Sequence, residues 1–173
     1  LNYEHPEARR VYQQHIGRVT ERYKNSRAIG AWILGNEYAY FDLWEEPAKY
    51  PARRFIGYDS ISQANFRKFL SSIYAGNIAA LNANWGASYA NFDAVAVPGK
   101  YPPDHNLPGY HDLIQWRKTS IGDFVALGAL AAQRADPNHL KTYSMVGGIF
   151  NGNDANNTAE DGKTLVARCA AAG

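Results

Sequence analysis

Asn36 and Glu37 stand side by side directly after a short apolar run, in the stretch RAIGAWILGNEYAYFDLWEE that covers residues 27–46. A Glu can donate a proton and later accept one if partial burial raises its pKa towards neutrality. A neighbouring amide can hydrogen-bond a hydroxyl group beside the reacting carbon. Cleavage of a glycosidic bond uses this chemistry together with a second carboxyl group. Glu37 is therefore a candidate general acid/base, and Asn36 is a candidate sugar-binding residue.

Aromatic residues are concentrated around this pair and in other segments that contain Gly, Pro, Asn and Asp. The chain has 12 Tyr, 7 Phe and 4 Trp among its 173 residues. Sugar rings stack on flat aromatic faces, so these residues could bind a saccharide. The alternative is that they are ordinary core and rim residues of the fold. Tyr38, Tyr40 and Trp44 follow Glu37 closely and are the candidates for a sugar platform. Trp85 and Trp116 lie on predicted helical faces and are expected in the core.

Apolar periodicity and capping signals predict five helices. The first is expected over residues 6–23, with Pro6 in its first turn. Ser60 and Gln63 form a capping box that predicts the start of the second helix, and a shorter third helix is expected to end at Gly86. The remaining two are predicted over about residues 110–134 and from about Thr158 to residue 172.

Two short apolar runs, residues 28–34 and 140–146, are bounded by turn residues and predict strands buried on both faces. The order of helix, strand, helices, strand and helix is typical of an α/β protein with a parallel sheet. Two parallel strands cannot close a barrel or cover both of their faces. The sequence thus predicts a segment of a larger sheet, unless further strands lie within the irregular loops.

Composition narrows the classes of function. With 46% apolar and 20% charged residues the chain is predicted to be globular, and a net charge of +2 from scattered basic residues argues against a nucleic-acid partner. There is no apolar run long enough to cross a membrane, and the single cysteine, Cys169, excludes an internal disulfide. The five histidines lack metal-ligand spacing, so no metal is predicted. Other acidic residues are better explained by solvated faces, turns or helix dipoles: Glu45, Glu46, Asp154, Glu160 and Asp161.

Three segments show a more specific resemblance to a known family: AIGAWILGNEYAY, FRKFLSSIYAGNIAALNANWGASY and DLIQWRKTSIGDFVALGALAAQRADPNHLKTYSM. They resemble the middle of a clan A glycoside hydrolase, most closely the β-galactosidases of glycoside hydrolase family 42. The residues that match the family pattern after the Asn-Glu pair are Phe66, Phe69, Leu70, Leu81, Asn82, Trp85 and Gly86. The resemblance covers roughly residues 6–145.

This resemblance implies an α/β fold, a TIM (β/α)8 barrel of which the chain supplies the part from about helix 3 to helix 5. Residues 1–173 would then form a partial catalytic domain, with barrel strand four at about 28–34 and strand five at about 140–146. The family's nucleophile is a Glu at the end of strand seven, which would lie beyond Gly173. The cysteine cluster that binds zinc in several members is missing here.

The function implied is retaining hydrolysis of a β-linked saccharide with Glu37 as acid/base, Asn36, Tyr38, Tyr40 and Trp44 as substrate-binding residues, and no cofactor. By itself the chain is expected to be inactive, because the nucleophile would lie outside it. Its expected partners are the carbohydrate and the remainder of its own barrel. An oligomer is compatible with the sequence, and a secreted or periplasmic location is favoured over a cytoplasmic one. Two alternatives stay open. One is a same-clan enzyme for another glycan, such as a β-glucosidase, mannanase or agarase; the other is a carbohydrate-binding relative without hydrolysis.

Overall fold

A computed structural model describes residues 2–40, 57–98, 107–145 and 162–171. They form helices and strands in the predicted order: α1 (Pro6–Tyr23), β1 (Ala31–Asn36), α2 (Ser60–Ile73), α3 (Ile78–Trp85), a 3-10 turn (Phe92–Ala94), α4 (Leu107–Ala135), β2 (Leu140–Ser144) and α5 (Gly162–Ala171). Two compact units result, which we call the sheet unit (Leu1–Tyr40 with Lys118–Gly173) and the helical unit (Phe41–Arg117). Within the described ranges, no helix combines the length and the apolar character needed to cross a bilayer.

Helix α1 has the bounds that the sequence predicts, because local signals define both of its ends. Pro6 occupies the first turn, where its missing N–H costs nothing. The His5 side chain caps this end, with Nδ1 accepting a hydrogen bond of 3.2 Å from the amide of Glu7. At the other end the amide of Lys24 still donates to the Thr20 carbonyl, at 2.9 Å. The N-terminal third of the sheet unit is thus specified locally.

The strands β1 and β2 pair in parallel, as predicted, but β1 begins later than the apolar run. Residues 26–29 form a turn instead, in which the Ile29 amide donates to the Ser26 carbonyl at 3.1 Å. The prediction that both faces of the strands are buried is wrong. Leu34 is 4% exposed, whereas Ile33 is 67% exposed and Leu140 is 69% exposed. One face of the sheet therefore packs on helices, while the other is open among the described residues.

Helix α4 is longer than predicted, starting at Leu107 and ending at Ala135 where the DPNH segment begins. The last helix, α5, begins at Gly162; the predicted start at Thr158 lies outside the described residues. Strand β2 ends at Ser144 rather than at residue 146. These differences affect ends only, since frayed ends depend on neighbouring turns more than on apolar periodicity.

The helical unit has its own core of buried aromatic and aliphatic side chains: Phe66, Leu70, Leu81, Trp85, Val95, Leu113 and Trp116. The core positions predicted for Trp85 and Trp116 are confirmed, at 7% and 3% exposure. Buried within it, the Asp112 carboxylate accepts hydrogen bonds from the Tyr74 hydroxyl at 2.6 Å and from the Trp85 indole at 2.9 Å. The buried carboxylate of Asp112 is thus paired with two donors rather than left unsatisfied.

The ends of α2 and α3 test two capping predictions. The capping box assigned to Ser60 and Gln63 is wrong by one residue, because Asp59 is the N-cap and accepts from the amides of Ile61 and Ser62. A carboxylate is the stronger acceptor at a helix N-terminus. Gly86 ends α3 in the left-handed conformation, with φ 64°, as predicted. Only glycine adopts this conformation without a steric cost.

Asp136, just after α4, forms hydrogen bonds with residues of both strands of the sheet unit. Its carboxylate accepts from the Trp32 indole at 2.9 Å and from the amides of Asn138 and His139 at 3.0 and 3.2 Å. The His139 ring lies 2.6 Å away, and the Lys141 ammonium donates to the Asp136 carbonyl. Burial alone would raise the pKa of Asp136, but these hydrogen bonds, led by that of Trp32, hold it well below its usual range.

Replacing Asp136 with Asn should destabilise the protein at pH 7 and flatten its acid dependence. An Asp with a lowered folded pKa stabilises the native state above its unfolded pKa of about 3.9, and that contribution is lost as pH falls towards the folded value. We expect the wild-type urea midpoint to fall steeply below pH 4 and the variant midpoint to fall less. Asp93→Asn, at an exposed carboxylate, is the matched control. If the urea midpoints of wild type and Asp136→Asn depend equally on pH, the lowered pKa of Asp136 does not contribute to stability as proposed.

Candidate active site

Glu37 directly follows the carboxyl end of β1, beside the end of β2. The Glu37 amide donates to the Ser144 carbonyl at 2.8 Å, which continues the pairing of Asn36 with Ser144 by one residue. The side chains of Asn36 and Glu37 are both exposed, so the partial burial expected for the acid is not present among the described residues. In (β/α)8 barrels this end of the strands carries the catalytic groups. The position predicted for the pair at a strand end is therefore observed.

The backbone at Glu37 has an unusual conformation. Its φ of 54° is in the left-handed region, which residues with a Cβ rarely adopt. The conformation costs about 1 kcal/mol for a residue of this kind. Such residues persist where the surrounding structure determines them, and they are frequent at functional sites. The local strain thus favours a functional role for this position over a simple solvated turn.

The strand register changes just before the pair. Between Ile33 and Asn36 strand β1 advances by three residues, while β2 advances by two from Thr142 to Ser144. Gly35 lies in this interval, and a Cβ there would be 2.5 Å from the ring of Tyr38. An extra residue in one strand re-aims the side chains that follow it. Glycine is required here because the Tyr38 ring occupies the space of a side chain.

The predicted sugar platform is placed differently by the structure. The Tyr38 ring packs 5.5 Å from that of Phe124, centre to centre, and Tyr40 is 1% exposed with its hydroxyl 2.8 Å from that of Ser120. A ring enclosed on all sides has no face for a sugar. We correct Tyr40 to a core residue of the sheet unit. Tyr38 belongs to an aromatic cluster that also contains Tyr3, Tyr12, Phe124 and Tyr143.

Trp44, the remaining residue of the predicted sugar platform, lies outside the described ranges, as do Glu45, Glu46 and Asp154, which the sequence assigns to solvated faces or turns. Among the residues that are described, no group of three or more His, Cys, Asp or Glu side chains could hold a metal ion. A cavity of about 300 Å³ lies within the sheet unit, lined by Leu34, Val125, Tyr143, Met145 and Leu165 among others. Its lining includes no carboxylate, so we do not place the reaction there.

Two tyrosines that the sequence did not single out contact the backbone around Glu37. The Tyr12 hydroxyl donates to the Leu34 carbonyl at 2.8 Å, and the Tyr143 hydroxyl accepts from the Tyr38 amide at 2.5 Å. Tyr12 was recognisable only as an apolar position of α1, and Tyr143 only as a strand residue. The distances along the chain, 22 and 105 residues, explain why no local pattern indicates these contacts.

Comparison of the sequence with known proteins matches the chain to a family. The family model described as β-galactosidase, that of glycoside hydrolase family 42, matches residues 1–165. The β-galactosidase Bga of Halorubrum lacusprofundi is 28% identical over 137 residues, which are 76% of this chain and 18% of that protein. The chain therefore spans about a fifth of the length of this relative.

Two solved structures share the fold at 20% sequence identity. The β-galactosidase from the psychrophilic Marinomonas ef1 has a TM-score of 0.65, with 82% of this chain and 21% of that chain covered. The apo family 42 exo-carrageenase from Bacteroides ovatus has a TM-score of 0.77, with 95% and 22% covered. Both are TIM-barrel enzymes, so the predicted partial (β/α)8 barrel is confirmed, while the numbering of β1 and β2 as strands four and five stays a prediction. The chain belongs to glycoside hydrolase family 42, the β-galactosidase family.

Proposed function

We propose that this chain carries the acid/base residue of a retaining glycoside hydrolase that acts on a β-linked, β-galactoside-like saccharide. The observation that carries the proposal is the exposed Glu37 at the carboxyl end of β1, next to Asn36, in a chain of family 42. The left-handed backbone of Glu37 supports it, because strain of this kind is kept at functional sites.

Glu37 first protonates the glycosidic oxygen, so that the leaving group departs as a neutral alcohol. A second carboxylate attacks the anomeric carbon from the opposite side and forms a glycosyl-enzyme. The deprotonated Glu37 then removes a proton from water, which releases the sugar with its original configuration. The Asn36 amide binds the hydroxyl next to the anomeric carbon, an interaction that strengthens in the transition state. The protein needs no cofactor for these steps.

The second carboxylate is proposed to lie beyond this chain, which alone would be inactive. Support comes from the open face of the two-stranded sheet, where Ile33 and Leu140 are mostly exposed. A closed barrel covers such residues with the side chains of its other strands. The remainder of the barrel is therefore the first partner of this chain, and the carbohydrate is the second.

An alternative function is hydrolysis of another glycan by the same mechanism. The similarity to a solved exo-carrageenase of family 42 keeps an algal saccharide open as the substrate. A carbohydrate-binding relative without hydrolysis is the alternative of a different class. It would bind the sugar but lack the second carboxylate about 5 Å from that of Glu37.

The complete polypeptide should hydrolyse nitrophenyl β-galactoside faster than the corresponding glucoside or mannoside. We expect the first sugar released to have the β configuration, which NMR detects before mutarotation. Carrageenan oligosaccharides in the same panel separate a β-galactosidase from an enzyme for algal glycans. An α-configured first product would exclude the retaining mechanism, and binding without release of any sugar would favour the non-catalytic alternative.

A further inference from the structure

Three hydrogen bonds beyond the regular pairing of β1 with β2 hold the backbone of segment 34–38, which carries Glu37. The Tyr12 hydroxyl donates to the Leu34 carbonyl at 2.8 Å, and the Glu37 amide donates to the Ser144 carbonyl at 2.8 Å. The third bond runs from the Tyr38 amide to the Tyr143 hydroxyl, at 2.5 Å. We call the hydroxyls of Tyr12 and Tyr143 the tyrosine clamp. They contact the segment on either side of the strained residue.

Ring contacts limit the movement of both tyrosines. The Tyr12 ring stacks on Phe124 with ring centres 4.3 Å apart, and a Cβ at Gly128 would overlap its hydroxyl. Burial, followed by the neighbouring Tyr38, raises the pKa of Tyr12, so the hydroxyl keeps the proton that it donates. The Tyr143 ring lies 5.7 Å from that of Tyr38. The clamp therefore approaches the segment from α1 and from β2, and the Tyr12 ring is the more tightly packed of the two.

The position of the Glu37 carboxylate depends on this backbone. Its side chain is exposed and makes no hydrogen bond or ion pair with another side chain of the described ranges. The backbone, with its left-handed φ of 54°, then sets the point and the Cα–Cβ direction from which the side chain reaches out. A left-handed residue returns to a more common conformation unless its neighbours are held. The clamp holds those neighbours at Leu34 and Tyr38.

We propose that Tyr12 and Tyr143 are positioning residues for Glu37: they act through the backbone to aim its carboxylate at the glycosidic oxygen. This inference rests on the proposed role of Glu37 as acid/base. Neither tyrosine needs to contact the substrate for this role. Their removal changes how well the proton is delivered, rather than how well the sugar is bound.

Tyr143→Phe in the complete polypeptide tests the inference, because it keeps the ring and removes the hydroxyl. A misplaced catalytic group can lower the rate by about a hundredfold. We expect kcat/KM for an alkyl galactoside, whose poor leaving group needs the proton, to fall about tenfold to a hundredfold. For dinitrophenyl galactoside, which leaves without protonation, kcat/KM should change less than about threefold. Tyr12→Phe should give the same pattern.

Tyr74→Phe is the matched control, since it also removes a hydrogen-bonded hydroxyl, which donates to Asp112 and accepts from Asn84 in the helical unit. Its ratio of kcat/KM between the two substrates should equal that of the wild type, even if its melting temperature falls. Unchanged ratios in both clamp variants, or equal losses on both substrates, would overturn the inference. If Tyr143→Phe does not fold, Tyr12→Phe decides alone. A full loss in Glu37→Gln beside normal clamp variants would leave the proposed function standing, whereas an active Glu37→Gln would remove both.

Discussion

Glu37→Gln should reduce kcat/KM for alkyl galactosides by about a hundredfold to ten-thousandfold in the complete polypeptide. Glutamine has nearly the same shape as glutamate but cannot deliver a proton. The loss should be much smaller for dinitrophenyl galactoside, because the departing phenolate is stable without protonation. Steady-state kinetics on the two substrates measure the difference. A Glu37→Ala variant should also accept azide, which needs no general base, and should give the β-galactosyl azide.

A matched control for this substitution is Glu21→Gln. Glu21 is exposed and forms an ion pair of 2.8 Å with Lys24 on the surface of α1. Such surface pairs contribute little to stability, so kinetics on both substrates should be unchanged. If Glu37→Gln behaves like this control, Glu37 is not the acid/base. Equal losses on the alkyl and dinitrophenyl substrates would also contradict the role, since they would indicate a general defect.

Phe124→Ala should lower the free energy of unfolding by about 3–5 kcal/mol. Phe124 is fully buried, and its ring contacts those of Tyr3, Tyr12 and Tyr38 at centre distances of 5.3, 4.3 and 5.5 Å. Truncation removes all three ring contacts and leaves a cavity beneath the segment that carries Glu37. Urea unfolding of the complete polypeptide, followed by tryptophan fluorescence, measures the loss. Activity on alkyl galactosides should fall as well, because Tyr38 loses its support.

Phe124→Leu and Phe92→Ala are the controls for this prediction. Leucine refills much of the cavity, so its cost should stay below that of alanine. Phe92 is only partly buried, in the helical unit, and its truncation should cost less than half as much as that of Phe124. A loss below about 1 kcal/mol for Phe124→Ala would show that the aromatic cluster does not hold the sheet unit together.

The elements that the sequence predicts well are those defined by residues close along the chain. Helix α1 begins at Pro6 and ends at Tyr23 as predicted, and Gly86 ends α3, since caps and periodicity lie within a few residues. The strands were predicted in the right places with wrong limits. Their apolar runs continue into the turn that Ser26 makes and, at the other strand, past Ser144. Burial on both faces failed because only one face is covered among the described residues.

The strand-end position of Asn36 and Glu37 was predictable, because an apolar run that stops at a polar pair marks the end of a buried strand. The orientation of the next residues was not. The sequence predicts Tyr40 as a sugar contact, but residues 39 and 40 lie in the core after the left-handed turn. Nothing local indicates that Glu37 has a positive φ or that Tyr143 contacts the amide of Tyr38. Those features arise from contacts between residues that are distant in the sequence.

The unequal advance of the two strands, three residues opposite two, has an evolutionary consequence. Deleting one codon between Ile33 and Asn36 would give both strands the same number of residues in this interval. Every side chain after the deletion would then point to the opposite face of the sheet. The side chain of Glu37 would be among those that change face. A single deletion of this kind would therefore separate the fold from the acid/base role that we propose for Glu37.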